Sequence, residues 1–257
     1  MPRHRAARTR AAVAVIVATL GLPAAAAPFT FRHDAVLGTS LEVVVEARDA
    51  AAAAAAEGAV LAEIDRLAAV ASTHAPDSEI SRWLEAGVQA GVSDDLAAIL
   101  RACDAWRERS GGVFHPGVAL AAEAWKRGER EGRAPADETL AAIALRLRRP
   151  PWEWRGLEVV PTGVPVSVDA LAKGFIVDAA CAKALDVEGI DGAMVNIGGD
   201  LAVRGRLEQA VEIPLPTHGG TSREVVSVAD RALATSGGGR RGFSIGGTIL
   251  SHVIDPR

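Results

Sequence analysis

The sequence predicts an α+β fold in which mixed, largely antiparallel sheets are flanked by helices. Three observations carry this. Val-rich alternating stretches such as residues 40–47 read as half-buried strands. Stretches with apolar residues at helical spacing, such as Val60, Leu61, Ile64 and Leu67, read as helices. The two kinds are interleaved without a regular βαβ repeat, which argues against a doubly wound parallel sheet.

Taken in order, residues 29–48 form two strands around Leu37-Gly38-Thr39. Residues 49–70 form a long helix with Asp49 as its cap, rich in the strong helix former Ala. Residues 72–81 are polar, contain Pro76, and read as a turn. A helix runs over 93–110, opened by Ser93-Asp94-Asp95 and stopped by Gly111-Gly112. After Val113-Phe114-His115-Pro116 a helical stretch continues to Lys126, and the charged residues 127–137 read as a surface loop. A short helix over 137–147 leads to Pro150-Pro151. Residues 157–168 read as a strand pair around Pro161-Thr162-Gly163. A helix spans 172–185, with Asp169 as a candidate cap. Residues 193–197 are a strand ending in Gly198-Gly199-Asp200, and 201–205 continue extended. Residues 225–229 are another strand, 233–239 a Gly-rich turn, and 243–245 with 248–253 a hairpin.

The 257 residues suit one large domain or two closely joined small ones. With 49% hydrophobic and 23% charged residues the chain has ample material for a core. The net charge of −4 offers no basic face for nucleic acid. Cys103 and Cys181 stand alone, with no Cys-x-x-Cys or Cys/His cluster, so a structural zinc site is not expected. A single disulfide is open, and two buried free thiols are preferred.

The N-terminus has the pattern of a secretory leader. Arg3, Arg5, Arg8 and Arg10 precede an apolar run over 11–22, which is followed by Pro23 and the small residues 24–27. The run is shorter than the roughly 20 residues a bilayer span needs. Cleavage is expected after about Ala27. An interfacial anchor helix is the alternative, and no cysteine near the cleavage point supports lipidation. The mature domain, residues 28–257, is expected to be periplasmic without a stable membrane anchor.

Four segments could carry chemistry. Ala193-Met-Val-Asn-Ile-Gly-Gly-Asp200 runs a strand into two glycines that let backbone amides approach a ligand, with Asn196 and Asp200 to read polar groups. The same letters also describe a plain tight turn. Ser167-Val-Asp-Ala-Leu-Ala-Lys-Gly174 opens a helix, a natural anion site, and Lys173 is one of only three lysines. A capped surface helix explains it equally. Ala234-Thr-Ser-Gly-Gly-Gly-Arg240-Arg241 suits a phosphate-cradling nest or a flexible loop. In Ser251-His-Val-Ile-Asp-Pro-Arg257, His252 is a candidate general base or a structural histidine.

In this order the four motifs resemble the FAD:protein FMN transferase (ApbE-like) family. Further matches are Leu37-Gly38-Thr39, Ser72-Thr73 through Pro76-Asp77-Ser78-Glu79, and Val113-Phe114-His115-Pro116. Members of that family use FAD and Mg²⁺ to attach FMN to a Ser or Thr hydroxyl of a target flavoprotein, forming a phosphoester and releasing AMP. The resemblance implies His252 as the base. It implies FAD contacts at Leu37, His74, Val113, Phe114, His115, Ser167, Asp169, Lys173, Asn196, Gly199, Asp200 and Ile254, and a metal contact at the main-chain oxygen of Ala170. The chain departs from the family pattern at four points. Leu37 stands for a Met, His74 for a Tyr, His115 for an Asp and Ser167 for an Asp, with Asp169 two residues on as a substitute carboxylate. Family members continue past Asp-Pro-Arg into a segment bearing metal-binding Asp and Thr. The expectation is therefore that these 257 residues lack the main Mg²⁺ carboxylate and are inactive and poorly stable alone. The alternatives are an FAD-binding protein or FAD pyrophosphatase without protein flavinylation, and a non-catalytic periplasmic binding or assembly module.

Overall fold

Strand β1 (Phe29–Val36) and strand β2 (Thr39–Ala47) pair antiparallel through a two-residue turn, Leu37-Gly38, with Val36 opposite Thr39. Both turn residues have positive φ, 48° at Leu37 and 73° at Gly38. This is the hairpin turn whose twist matches that of the flanking strands. The computed structural model describes residues 28–86, 91–217, 220–236 and 242–257. The expected leader and most of the Gly-rich segment 234–241 lie outside the described residues.

The central sheet adds β5 (Ile190–Ile197), β6 (Asp200–Gly205) and β9 (Ala232–Ala234) in the order β1-β2-β5-β6-β9, every pairing antiparallel. Period-two alternation sorts its side chains. Leu41, Val43, Val45, Ala193, Val195 and Ile197 face two long helices, α1 (Ala50–Ala71) and α6 (Asp169–Leu185). Val44, Met194, Leu201 and Val203 face the other way and are covered by Val228 of a long hairpin, β7 (Glu208–Thr217) with β8 (Gly220–Ala229).

A second core gathers around α2 (Glu79–Ala86), α3 (Asp94–Arg109) and the hairpin β3 (Trp152–Arg155) with β4 (Glu158–Pro161). Trp83 is fully buried there, donates its indole N–H to the Val159 carbonyl at 3.0 Å, and meets Trp152 edge-on at 6.3 Å. Phe175 of α6 packs against both cores, so α6 joins them. Peripheral elements are α4 (Ala119–Glu131), α5 (Asp137–Arg146) and a hairpin of β10 (Gly242–Ile245) with β11 (Thr248–Ser251).

Most elements lie where the sequence predicts them, and the differences have local causes. Helix α2 replaces the end of the expected polar turn, because burying Ile80 and Trp83, with Leu84 partly buried beside them, stabilises a helix whose outer residues Arg82 and Glu85 are polar. Helix α4 runs five residues past Lys126, to a left-handed Gly132 at φ 69°. The strand pair expected around Pro161-Thr162-Gly163 turns instead at Gly156 (φ 67°), which pairs Trp152 with Pro161 and leaves residues 162–168 irregular. Helix α6 starts three residues early. Its cap is Val168 without a side-chain bond, and Asp169 is the first helical residue. Strand β7 was not legible in the sequence. Cys103 and Cys181 are both free and buried, one in each core.

Candidate functional site

Two turns of the central sheet meet beside the start of α6. Gly198 donates its N–H to the Ser40 carbonyl at 3.0 Å, tying the β5–β6 turn to the β1–β2 hairpin. Gly198 has φ 62°, and an added Cβ would stand 2.6 Å from Thr39 Oγ1, so only glycine fits there without displacement. The Gly199 N–H donates to Asn196 Oδ1 at 3.0 Å, so the Asn196 side chain shapes the turn itself. Asp200 leaves that turn and lies 3.5 Å from Lys173 Nζ, one turn into α6.

Between these elements and the end of α1 lies a cavity of about 430 Å³. Leu37, Ala68, Ala71, Ala172 and Ile176 give it apolar walls, and His74, Asp169 and Lys173 give it polar ones. Asp169 is the hub of the polar side. It accepts from Thr73 Oγ1 at 3.2 Å and from Ser167 Oγ at 3.0 Å, and its Oδ2 lies 3.2 Å from His74 Nε2. Ser167 and Asp169 do converge, through this bond rather than through strand alternation, because the helix has already begun at Asp169. Leu37 holds a left-handed conformation that costs a non-glycine residue roughly 1–2 kcal/mol. Such strain persists where the surroundings over-determine it, often at sites of function.

Of the residues the sequence singles out, Leu37, His74, Asp169 and Lys173 line this cavity, while Ser167 and Asp200 are bonded to its lining. Asn196 and Gly199 form the adjoining turn. The others lie elsewhere. Ala170 and Phe114 line a shallow pocket with Asp178 on the far side of α6. Val113 is exposed. Ile254 lies against α4 and α5. His252 follows β11, whose hairpin is fastened to α4 by Phe243 stacking on Trp125 at 6.2 Å and by the Ser244 N–H donating to Glu129 at 2.7 Å. His252 does not line the Lys173 cavity. Ile176 was missed by motif reading, yet its spacing of three from Lys173 puts it on the same helix face.

His115 belongs to another cavity, of about 710 Å³, between α3, the α5–β3 connection and β3. Its Nδ1 accepts from the Gly117 N–H at 2.9 Å, so it caps the short 3₁₀ turn over Pro116–Val118. The neutral ring then carries its proton on Nε2. Nε2 is buried with no hydrogen-bond partner among the described residues. An unmet buried donor costs about 1–3 kcal/mol. Burial lowers the pKa of His115, as does the Arg107 charge; the nearby backbone of Arg149 and Leu147 opposes the fall without closing a hydrogen bond.

Comparison with known proteins bears on the family and the fold. The ApbE family model matches residues 37–257. An FAD:protein FMN transferase of Treponema pallidum is 29% identical over 251 residues, covering 88% of this chain and 69% of that protein. One of Rhodobacter capsulatus is 32% identical over 184 residues, covering 68% of this chain but 35% of its own length. The Pseudomonas stutzeri flavinyl transferase ApbE, in its apo form, superimposes with a TM-score of 0.71 at 22% identity, over 89% of this chain and 74% of that one, and so shares the fold. With its antiparallel central sheet, the helices α1 and α6 packed on one face of it and a family match that takes in every residue of the Lys173 cavity, this chain belongs to the ApbE family of transferases.

Proposed function

We propose that this protein transfers FMN from FAD to a Ser or Thr hydroxyl of a target flavoprotein in the periplasm, with Mg²⁺, forming a phosphoester and releasing AMP. The observation that supports it most is the cavity in which Lys173, steadied by Asp200, faces apolar walls of Leu37, Ala172 and Ile176. Its volume lies within the usual range for ligand pockets, about 300–1,000 Å³. Its size and chemistry suit the flavin end of FAD, with the apolar walls against the ring and the ammonium against a phosphate. FAD supplies the phosphoryl centre and the AMP leaving group. Asp169 holds His74 and Ser167 in place at the mouth. Among the described residues no three His, Cys, Asp or Glu side chains converge as a metal site requires. No helix among the described residues is long and apolar enough to cross a membrane.

A second reading, FAD binding or hydrolysis without protein flavinylation, draws on one observation: His252 lies outside the lining of that cavity. One assay separates the readings. The protein as its gene encodes it is incubated with FAD, Mg²⁺ and an acceptor flavoprotein, and the products are read on a denaturing gel and by nucleotide chromatography. Covalent flavin on the acceptor with stoichiometric AMP is the expected result. Free FMN and AMP without labelled acceptor would establish hydrolysis, and intact bound FAD would establish a carrier.

A further inference from the structure

The mouth of the Lys173 cavity carries an unbalanced charge. Asp169 and Lys173 stand four apart on α6, so they are neighbours on one face, one turn from each other. The Lys173 ammonium already has the Asp200 carboxylate 3.5 Å away. Asp169 has three partners, and two of them, Thr73 and Ser167, are neutral hydroxyl donors. The third is His74, whose Nε2 lies 3.2 Å from Asp169 Oδ2. Among the described residues no other charged or titratable side chain lines the cavity. The end of α1 contributes Ala68 and Ala71, and the β1–β2 turn contributes Leu37 and Gly38. Asp77, on the same connection as His74, is outside the lining. While His74 is neutral, two carboxylates meet one ammonium; a proton on His74 restores the balance. The His74 side chain is 84% exposed, so it exchanges protons with solvent freely.

Resting on the flavin reading of this cavity, we propose that His74 sets the pH dependence of FAD binding, and that the site holds FAD more tightly when the imidazole is protonated. Histidine is the side chain whose charge ordinarily changes between pH 5 and 8. The diphosphate of FAD keeps its charge across that range, so the change arises on the protein. With His74 neutral, a phosphate seated against Lys173 faces the Asp169 carboxylate one helical turn away, and the two repel. With His74 protonated, the imidazolium offsets that carboxylate and the repulsion falls. A ligand that prefers the protonated form binds more tightly as pH falls, and its binding takes up protons. The exposure of His74 keeps the effect modest, and salt screens it.

Calorimetric titration of the protein as its gene encodes it, with FAD at about pH 5.5 and about pH 8 and at low salt, tests the proposal. Wild-type affinity is expected to be about three- to five-fold higher at the lower pH, and the difference to shrink as salt is added. His74→Gln, at an exposed position, is expected to lose the pH response and to bind at both pH values as the wild type does at the higher one. His74→Tyr keeps a ring without an imidazole and is expected to lose the response too, which separates charge from ring packing. Lys173→Gln should weaken binding at both pH values and keep the response. Riboflavin, which has no phosphate, should bind equally at both. A flat wild-type profile, a response that survives in His74→Gln, or the same response with riboflavin would each overturn the proposal while leaving the flavin reading in place. Absence of FAD binding at either pH would overturn the flavin reading and this proposal with it.

Discussion

Lys173 and Asp200 lie 3.5 Å apart and are about one-third exposed, at 30% and 27%. A pair this wet contributes little to stability, about 0–1 kcal/mol, so its position matters more than its strength. Lys173→Gln is expected to raise the FAD dissociation constant by about ten-fold, near 1.4 kcal/mol, with little change in melting temperature; equilibrium titration of FAD fluorescence beside a thermal melt checks both. The cysteines make a second prediction at this scale. Burial pushes the Cys103 thiol up to about 12 and Cys181 up to about 11. Thiolate is the reactive form, so neither should react with a thiol reagent at pH 8 in the native protein, and both should react after denaturation. Rapid labelling of the folded chain would contradict the two-core packing. Candidate residues were legible here because their types are rare or chemically committed: one of three lysines, a Gly-Gly turn, an acid beside it. His115 illustrates the limit. Its letter is plain and its Nδ1 bond to Gly117 is local, but the burial of Nε2 depends on neighbours about 30 residues away, around Leu147 and Arg149.

Helix α2 shows how tertiary contact overrides local pattern. Only Ile80 and Trp83 are fully buried in it, Leu84 is partly buried, and Arg82 and Glu85 face solvent. Its stability comes from the slot between α1, α3 and β4 that Trp83 fills. Trp83→Ala is expected to cost about 3–5 kcal/mol, measured by urea unfolding, because it removes a fully buried ring and leaves a cavity. A loss below about 1 kcal/mol would mean that the slot collapses freely. Helix α6 makes the complementary point. Its sequence marks a helix well, yet its first turn begins earlier than the motif suggests, and this is what puts Asp169 in line with Ser167, Thr73 and His74. The β3–β4 hairpin was misplaced because Pro161-Thr162-Gly163 is a strong turn signal. Gly156 won because the resulting register buries Trp152 and Val159 in the second core.

At the scale of the molecule, two cores share α6, and α1 is anchored to α3 by a charged cluster. Arg66 makes a two-bond contact with Glu63, both distances 2.8 Å, and also contacts Asp95 of α3. Hydrogen bonds from Arg66 hold the Glu63 carboxyl below its usual range. A depressed carboxylate stabilises the fold above its unfolded-state pKa, and that contribution is lost as pH falls through the lower folded-state value. Stability should therefore decline on the acid side, below the usual carboxylate range, and Glu63→Gln should flatten that limb while lowering stability at pH 7. Thermal melts from pH 3 to 7 on both proteins check the sign; an unchanged acid limb would remove the cluster from the account.

Sequence by itself determined the α+β class, the long helices α1, α3 and α6, the hairpin turn at Leu37-Gly38 and the motifs that carry the family resemblance. These features rest on local periodicity and on residue types that few conformations tolerate. Tertiary structure decided how Lys173, Asp200, Asp169, His74 and Leu37 are brought together, that His252 stands off the lining of their cavity, and that His115 lies in a separate one. Those groupings join segments up to about 160 residues apart, and they are set by which apolar faces bury against one another.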